Sequence, residues 1–212
     1  MTSAWSWVVC SKCGSRTISG KYCMRCGEPL APAGLEQPVQ AKYVYHFKVV
    51  VVGEDGVGKT TLINRLAGTS ERPSSSQEFE TTKVLRLDGF EINLGLKELP
   101  KGFGGGEVGV DAALVVFDLT RRITFIKVVH YFRRLRETSS DALVYIIGNK
   151  LDEPNRQVAY QEAAKLSDET NVAYFETSAK LGHGIDDLLR KILKDLLYRK
   201  AERLRERLVD EL

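Results

Sequence analysis

The stretch HFKVVVVGEDGVGKT, residues 46–60, decides the fold of the larger part of this chain. Residues 46–52 are a continuous run rich in β-branched side chains, which indicates a strand buried on both faces of a parallel sheet. The run leads into the pattern Gly53-x-x-x-x-Gly58-Lys59-Thr60 and then into a predicted helix. A glycine-rich turn between a strand and a helix favours phosphate binding, because backbone N–H groups and the helix N-terminus face the anion.

The residue types in this loop suit a nucleoside triphosphate bound with Mg²⁺. The Lys59 ammonium is expected to reach the β- and γ-phosphates, and the Thr60 hydroxyl is expected to ligate Mg²⁺. Asp55 either stands where the attacking water and a partner's arginine would approach, or points to solvent. The nucleotide-binding residues predicted for the loop are Glu54, Asp55, Gly56, Val57, Gly58, Lys59, Thr60 and Thr61.

The rest of the chain alternates strand patterns with helical ones. The turn sequence Asp88-Gly89 predicts a hairpin between strands at 83–87 and 90–96. Further strands are predicted at 112–118, 142–148 and 172–177, and helices at 59–67, 124–137, 158–170 and from Ile185 onward. The fold class predicted from this order is α/β, with a mostly parallel six-stranded sheet that carries helices on both faces.

Two segments that follow later strands select guanine as the base. In Asn149-Lys-Leu-Asp152, the Asp152 carboxylate can accept hydrogen bonds from guanine N1–H and N2–H₂. Adenine presents a different edge and would leave a buried carboxylate unpaired, which is costly. In Glu176-Thr-Ser-Ala-Lys180, a backbone N–H can meet guanine O6.

The three motifs, in this order and spacing, resemble those of small GTPases of the Ras/Rab type over about residues 45–198. The resemblance implies a P-loop GTPase domain that binds GTP or GDP with Mg²⁺. It implies that Asp152 recognises guanine, that Asn149 braces the loops and that Lys150 stacks along the base. It also assigns Ser178, Ala179 and Lys180 to the nucleotide site, with the O6 contact made by Ala179. A threonine that completes the Mg²⁺ shell is expected, for which Thr81 is favoured over Thr82.

The sequence departs from the family pattern after the hairpin. There the family has Asp-x-x-Gly-Gln, in which Asp orders Mg²⁺, Gly senses the γ-phosphate and Gln places the attacking water. Here Gly95 or Gly102 is expected at the Asp position, and neither is a carboxylate. No glutamine occurs between Gln77 and Gln157. Slow hydrolysis is therefore expected, with little influence of Glu98 on its rate.

The four cysteines form two knuckles, Cys10-x-x-Cys13-Gly and Cys23-x-x-Cys26-Gly, separated by nine residues. Four thiolates suit one tetrahedral structural Zn²⁺, and the pattern resembles short zinc ribbons. A module of this size buries too little core to fold alone, so the metal is expected to hold it together. Iron in a rubredoxin-like site is one alternative, and free or disulfide-bonded cysteines are another.

Composition and charge restrict the function classes. Of 212 residues, 43% are hydrophobic and 28% are charged, as is ordinary for a soluble globular protein. Residues 1–27 hold four bases and no acid, so the net charge of +3 leaves 3 − 4 = −1 for residues 28–212, which disfavours nucleic acid as a partner. No apolar run approaches the roughly 18–20 residues that span a bilayer, and no secretory or lipidation signal is evident. A cytoplasmic location is expected.

The predicted organisation is a zinc ribbon at 1–27, a linker at 28–44, a GTPase domain at 45–198 and a helical extension at 199–212. The favoured function is a regulatory switch that cycles between GTP and GDP and contacts a protein effector or regulator through residues 70–82 and 95–110. A nucleotide-binding scaffold that does not hydrolyse GTP is the alternative. Nucleic-acid binding has only the basic N-terminus in its favour. The terminal extension is either a partner contact or a solvated end.

Overall fold

A computed structural model of the chain describes residues 7–10, 12–18, 22–27, 43–69, 80–87, 90–101 and 109–210. The chain divides into two compact units, Met1–Lys42 and Tyr43–Leu212. Residues 28–42 of the predicted linker, residues 70–79 and 102–108 of the expected effector surface, and the Asp88-Gly89 turn lie outside the described residues. The domain boundaries drawn from the sequence stay predictions.

The smaller unit contains one short antiparallel pair of strands. Strand β1 (Trp7–Val9) pairs with β2 (Arg16–Ile18), with Val8 opposite Thr17. The first cysteine knuckle is the turn that joins these two strands, so the ladder fixes where that knuckle stands.

The larger unit alternates strands and helices along the chain. In order, its elements are β3 (Tyr43–Gly53), α1 (Lys59–Ala67), β4 (Glu80–Leu87), β5 (Phe90–Glu98), β6 (Ala112–Asp118), α2 (Arg122–Ile126), α3 (Val128–Thr138), β7 (Leu143–Asn149), α4 (Tyr160–Thr170), β8 (Ala173–Glu176) and α5 (Ile185–Asp210). The predicted helix at 124–137 is thus two helices that meet at Lys127. The terminal helix is continuous through the boundary predicted at residue 199.

The six strands of this unit form one sheet in the order β4-β5-β3-β6-β7-β8. Every neighbouring pair is parallel except the hairpin β4–β5. The predicted mostly parallel six-stranded sheet is therefore confirmed. The chain proceeds from β3 to one side for β5 and to the other side for β6, and the carboxyl end of a strand at such a reversal is where ligands bind in open α/β sheets.

Helices cover both faces of the sheet, as predicted. On one face, α1 and α5 pack against the strands through Leu62, Ile63, Leu188 and Ile192, all of which are fully buried. On the other face, helices α3 and α4 contribute to a second cluster around Val50, Val115, Phe117 and Ile146. All seven residues of β6 are buried, which explains its unbroken apolar run up to Asp118. Within the described part of the chain, no helix has the length and apolarity needed to cross a bilayer.

Candidate functional site

The loop between β3 and α1 has the geometry of a phosphate cradle. Gly58 precedes the helix with φ +94°, in the left-handed region that favours glycine. A Cβ at this position would lie 2.5 Å from Asn149 Nδ2, so a larger residue would push the two loops apart. Lys59 is buried, and its ammonium donates to the carbonyl oxygens of Gly53 at 3.1 Å and Glu54 at 3.0 Å. These bonds hold the lysine head inside the curl of the loop.

A carboxylate stands beside the predicted magnesium ligand. Glu98 Oε2 accepts a hydrogen bond of 2.5 Å from the Thr60 hydroxyl, and Glu98 Oε1 lies 3.4 Å from Lys59 Nζ. Glu98 rather than Gly95 takes this place, because it ends β5 opposite Val51 of β3. Gly102 lies outside the described residues. A hydroxyl next to a carboxylate is an oxygen donor set that suits Mg²⁺. The sequence interpretation did not assign Glu98 to the magnesium site, and the expectation that Glu98 influences the hydrolysis rate little stays a prediction.

The signal that could have identified Glu98 is the alternation along its strand. Ile92, Leu94 and Leu96 are buried on the face that carries α1. Since side chains alternate with a period of two, residue 98 points to the same face, toward the first turn of α1. Counting every second residue of the strand from Ile92 would therefore have placed the Glu98 carboxylate near Thr60.

The structure does not bring Thr81 to this group. Thr81 lies within β4 and pairs with Leu96, so the ladder holds it two residues short of Glu98. Among the described residues, Thr81 makes no hydrogen bond to Thr60 or Glu98. Thr82 pairs with Gly95, one residue further away. The assignment of Thr81 to Mg²⁺ stays an untested prediction that this geometry does not support. Thr61 is exposed in the first turn of α1.

Glu54 and Asp55 of the loop differ sharply in environment. Burial raises the pKa of the Glu54 carboxyl, but hydrogen bonds from Lys127, Lys101 and Tyr131 outweigh this and hold the pKa at about 2. Asp55 is 79% exposed, with Lys101 Nζ 4.0 Å from its carboxylate. Of the two alternatives for Asp55, the structure shows the one in which it points to solvent. The Glu54 carboxylate is paired with the ammonium groups of Lys101 and Lys127, so its side chain stabilises the loop.

Asn149 joins the phosphate loop to both base-recognition segments. Its Nδ2 donates to the Val57 carbonyl at 2.9 Å, and its Oδ1 accepts from the Ala179 N–H at 3.0 Å and the Thr177 hydroxyl at 3.2 Å. The side chain is buried, so these bonds are shielded from water. Three segments that lie far apart in sequence are therefore fixed as one assembly.

Asp152 is prepared to accept hydrogen bonds. The Ser178 hydroxyl donates to Asp152 Oδ1 at 2.6 Å and lowers the pKa of the carboxyl, so the carboxylate form is favoured at neutral pH. Lys180 Nζ lies 3.8 Å from Asp152 Oδ2 and is mostly exposed. Ser178 and Lys180 thus touch Asp152, while Ala179 is buried against Asn149.

The sequence interpretation missed Asp118, the last residue of β6. Its carboxylate is completely buried and lies 2.6 Å from the ammonium of Lys150. Burial raises its pKa, but bonds from Lys150, Thr120 and Arg121 outweigh burial and lower the pKa below its ordinary value. A charged residue that ends an apolar strand at the ligand-binding edge of the sheet was the available signal.

In the smaller unit, the four cysteine sulfurs converge. All four Sγ atoms lie within 4.8 Å of one another, with Cys10 and Cys26 3.6 Å apart and Cys13 and Cys23 3.7 Å apart. A tetrahedron with Zn–S bonds of about 2.3 Å has sulfurs about 3.8 Å apart. Each knuckle closes with a 2.9 Å bond from its glycine N–H to the carbonyl of its first cysteine. The sulfurs are thus arranged as one tetrahedral ion requires, without a disulfide among them.

Comparison with known proteins places these sites in context. A model of the Ras family matches residues 107–198. The Ras-related protein Rab-21 of Mus musculus is 30% identical over 179 residues, which cover 79% of this chain and 81% of that protein. The Ras-related protein Rab-17 of Homo sapiens is 30% identical over 168 residues, covering 74% and 79% respectively. The Ras-related protein Rab-11C of Dictyostelium discoideum is 27% identical over 175 residues, covering 76% and 77%.

Proposed function

The chain belongs to the Ras family, and on that premise we propose that it is a regulatory switch that binds GTP and GDP with Mg²⁺. The observation that carries the proposal is Asn149, which bonds to Val57 of the phosphate loop and to Ala179 of the base segment. This bracing fixes the distance between a phosphate cradle and a base-binding carboxylate, which a site for one whole nucleotide needs. The relatives favour such a switch over a purely structural nucleotide-binding scaffold.

Guanine is the proposed base because of Asp152. An ionised carboxylate accepts hydrogen bonds from the N1–H and N2–H₂ groups of guanine. Its side chain is 8% exposed, so a base that left it unpaired would bind at a cost of several kcal/mol. Lys150, held by Asp118, is the residue that would lie along the base.

Magnesium is proposed to bind at Thr60 and Glu98. The hydroxyl and the carboxylate are already adjacent, and Lys59 provides the neighbouring positive charge for the phosphates. The bound ion would neutralise charge that develops on the phosphates during hydrolysis. Glu98 therefore fills the role that the family assigns to aspartate, through a side chain one methylene longer.

Hydrolysis is proposed to be slow, no faster than about 10⁻⁴ s⁻¹ at 25 °C without a partner. The reason is that no glutamine follows Glu98 in the segment where the family places its water-positioning residue. Lys101 stands where the family pattern has glycine, and its ammonium lies 3.1 Å from Glu54.

Zinc is the proposed metal of the cysteine cluster. Hydrogen bonds from the side chain and backbone of Ser15 lower the pKa of Cys13 to about 6, so this thiol is largely in the thiolate form that binds metals. Four thiolates in a closed tetrahedral arrangement suit structural Zn²⁺ better than the harder ions Mg²⁺ and Ca²⁺. Thiols held for a metal fit a reducing compartment such as the cytoplasm, which remains the proposed location.

A protein effector or regulator is the proposed partner, as expected for a switch. One experiment tests the nucleotide and metal assignments together. The protein is purified in the presence of Mg²⁺ without chelators, its bound nucleotide is identified by chromatography after denaturation, and its zinc is measured by elemental analysis. GDP or GTP in near-stoichiometric amount, with one zinc per chain, is expected. Failure to retain or rebind a guanine nucleotide would overturn the switch, whereas absence of zinc would overturn only the metal assignment.

A further inference from the structure

Arg121 lies against the phosphate loop, although it belongs to none of the nucleotide motifs. Its Nη2 donates a 2.8 Å hydrogen bond to the carbonyl oxygen of Asp55. The same nitrogen is 3.5 Å from the position that a Cβ on Gly56 would occupy. Arg121 is the residue directly before α2, far from the loop in sequence. Its guanidinium nevertheless lies against Asp55 and Gly56 of the loop.

A buried carboxylate fixes the direction of this guanidinium. Arg121 Nε donates at 2.9 Å to Asp118 Oδ2, the oxygen that also lies 2.6 Å from Lys150 Nζ. The other oxygen, Oδ1, accepts from the N–H and the hydroxyl of Thr120. Asp118 is therefore fully satisfied, and it holds a base-site lysine and a loop-side arginine next to each other.

The guanidinium retains donors for a ligand. It has five N–H groups, of which two bond to Asp118 and Asp55. No other acceptor for Arg121 occurs among the described residues, so three N–H groups remain. The side chain is 41% exposed, which leaves an open side for a ligand. An arginine with spare donors beside a nest of backbone N–H groups suits a phosphate oxygen.

Its position along the nucleotide follows from its neighbours. Lys59, Thr60 and Glu98 mark the magnesium end of the site. Lys150, on the same carboxylate as Arg121, marks the base end. Arg121 bonds both to the carboxylate that holds Lys150 and to the Asp55 carbonyl of the loop, so it joins the base end to the loop that would hold the phosphates common to GDP and GTP.

We propose that Arg121 is a phosphate-binding residue that donates to a non-bridging oxygen of the α- or β-phosphate, and that Asp118 is the positioning residue that aims it. The inference rests on the proposed guanine-nucleotide function. It adds a fixed cation, supplied by the chain itself, to the loop and its lysine. Because GDP and GTP share the contacted phosphates, the residue slows the release of both nucleotides equally.

The test compares Arg121→Gln with wild type and with Arg122→Gln as the matched control. Arg122 is the adjacent arginine, but it pairs with Glu162, at 2.6 Å and 2.9 Å, away from the loop. Dissociation of fluorescent GDP and of a fluorescent non-hydrolysable GTP analogue is followed in excess Mg²⁺. Loss of a charge-assisted hydrogen bond should speed release of both nucleotides about 10- to 100-fold in Arg121→Gln and leave Arg122→Gln unchanged.

A second measurement separates phosphate contact from mere bracing of the loop. GDP carrying sulfur at a non-bridging α or β position binds more weakly wherever that oxygen accepts a bond. At the phosphate that Arg121 contacts, sulfur should lower the affinity of wild type but not that of Arg121→Gln, because the variant no longer makes the bond that the sulfur weakens. If sulfur substitution lowers the affinity of both proteins equally at every position, the proposal is overturned. The proposal is also overturned if Arg121→Gln speeds release of the GTP analogue but not of GDP. Wild type that binds no guanine nucleotide would instead refute the proposed function itself.

Discussion

Replacement of Glu98 by glutamine tests the magnesium site most directly. The Glu98 carboxylate accepts the Thr60 hydroxyl at 2.5 Å and lies 3.4 Å from the Lys59 ammonium. Glutamine has nearly the same shape and can still accept a hydrogen bond, but it carries no charge. We therefore expect Glu98→Gln to fold normally and to lose much of the Mg²⁺-dependent retention of nucleotide.

The size of the effect follows from the charge that is removed. A hydrogen bond to a charged group contributes about 1.5–3 kcal/mol, and each 1.4 kcal/mol corresponds to a factor of about ten. Glu98 is 24% exposed, which weakens its interactions through solvent screening. We expect GDP to dissociate about 10- to 50-fold faster from Glu98→Gln than from wild type in excess Mg²⁺.

The assay follows release of fluorescent GDP after a chase with unlabelled GDP, once in millimolar Mg²⁺ and once in excess EDTA. In EDTA the variant and wild type should release GDP at similar rates, because the missing contribution acts through the ion. Glu91→Gln is the matched control, since Glu91 is also on β5, is equally exposed at 24% and pairs with Arg86 instead. If the ratio of the GDP release rates in EDTA and in Mg²⁺ is the same for Glu98→Gln as for wild type, the assignment of Glu98 to the magnesium site is refuted.

Three further predictions concern the base, the metal module and pH. Asp152→Asn should weaken GTP binding and favour xanthosine nucleotides, whose changed edge suits an amide; equal GTP affinity in competition binding would contradict the guanine assignment. Cys23→Ser should release zinc and unfold the smaller unit while nucleotide binding persists, as measured by elemental analysis and GDP retention. Glu54→Gln should lower the free energy of unfolding by up to about 3 kcal/mol at pH 7. Because the pKa of Glu54 falls from 4.5 to about 2 on folding, the difference in free energy of unfolding between wild type and variant should shrink as the pH falls from 5 to 2. A difference that stays constant over this pH range, measured by chemical unfolding, would contradict the pairing of Glu54 with its cationic partners.

Motifs that are contiguous in sequence were predictable because their function depends on local backbone. Residues 53–60 curl through glycines and enter α1 at Lys59, as the sequence predicts. Asp152, the carboxylate proposed to bind guanine, lies three residues after the end of β7, and the two cysteine knuckles each close within five residues. In each case the spacing along the chain already specifies the turn, and the turn specifies where the side chain or N–H points.

The fold class was predictable for a related reason. The period of the apolar pattern separates buried strands from helices, and alternating βα units leave few sheet topologies. The sequence did not predict the break at Lys127 between α2 and α3, since no glycine or proline marks it. The sequence therefore predicted which helices and strands exist better than it predicted the residues at which they begin and end.

The sequence by itself determined that this chain carries a glycine-rich loop of the phosphate-binding pattern, a carboxylate at the position proposed to bind guanine, and four thiols in metal-binding spacing. Only the tertiary structure decided which charges serve the phosphate loop. Glu98 reaches Thr60, 38 residues away, because the register of β5 on β3 places it there. Arg121 reaches Asp55, 66 residues away, because Asp118 at the end of β6 holds it. Such contacts depend on strand register, and a slip of one residue would turn Glu98 of β5 or Asp118 of β6 to the opposite face of the sheet.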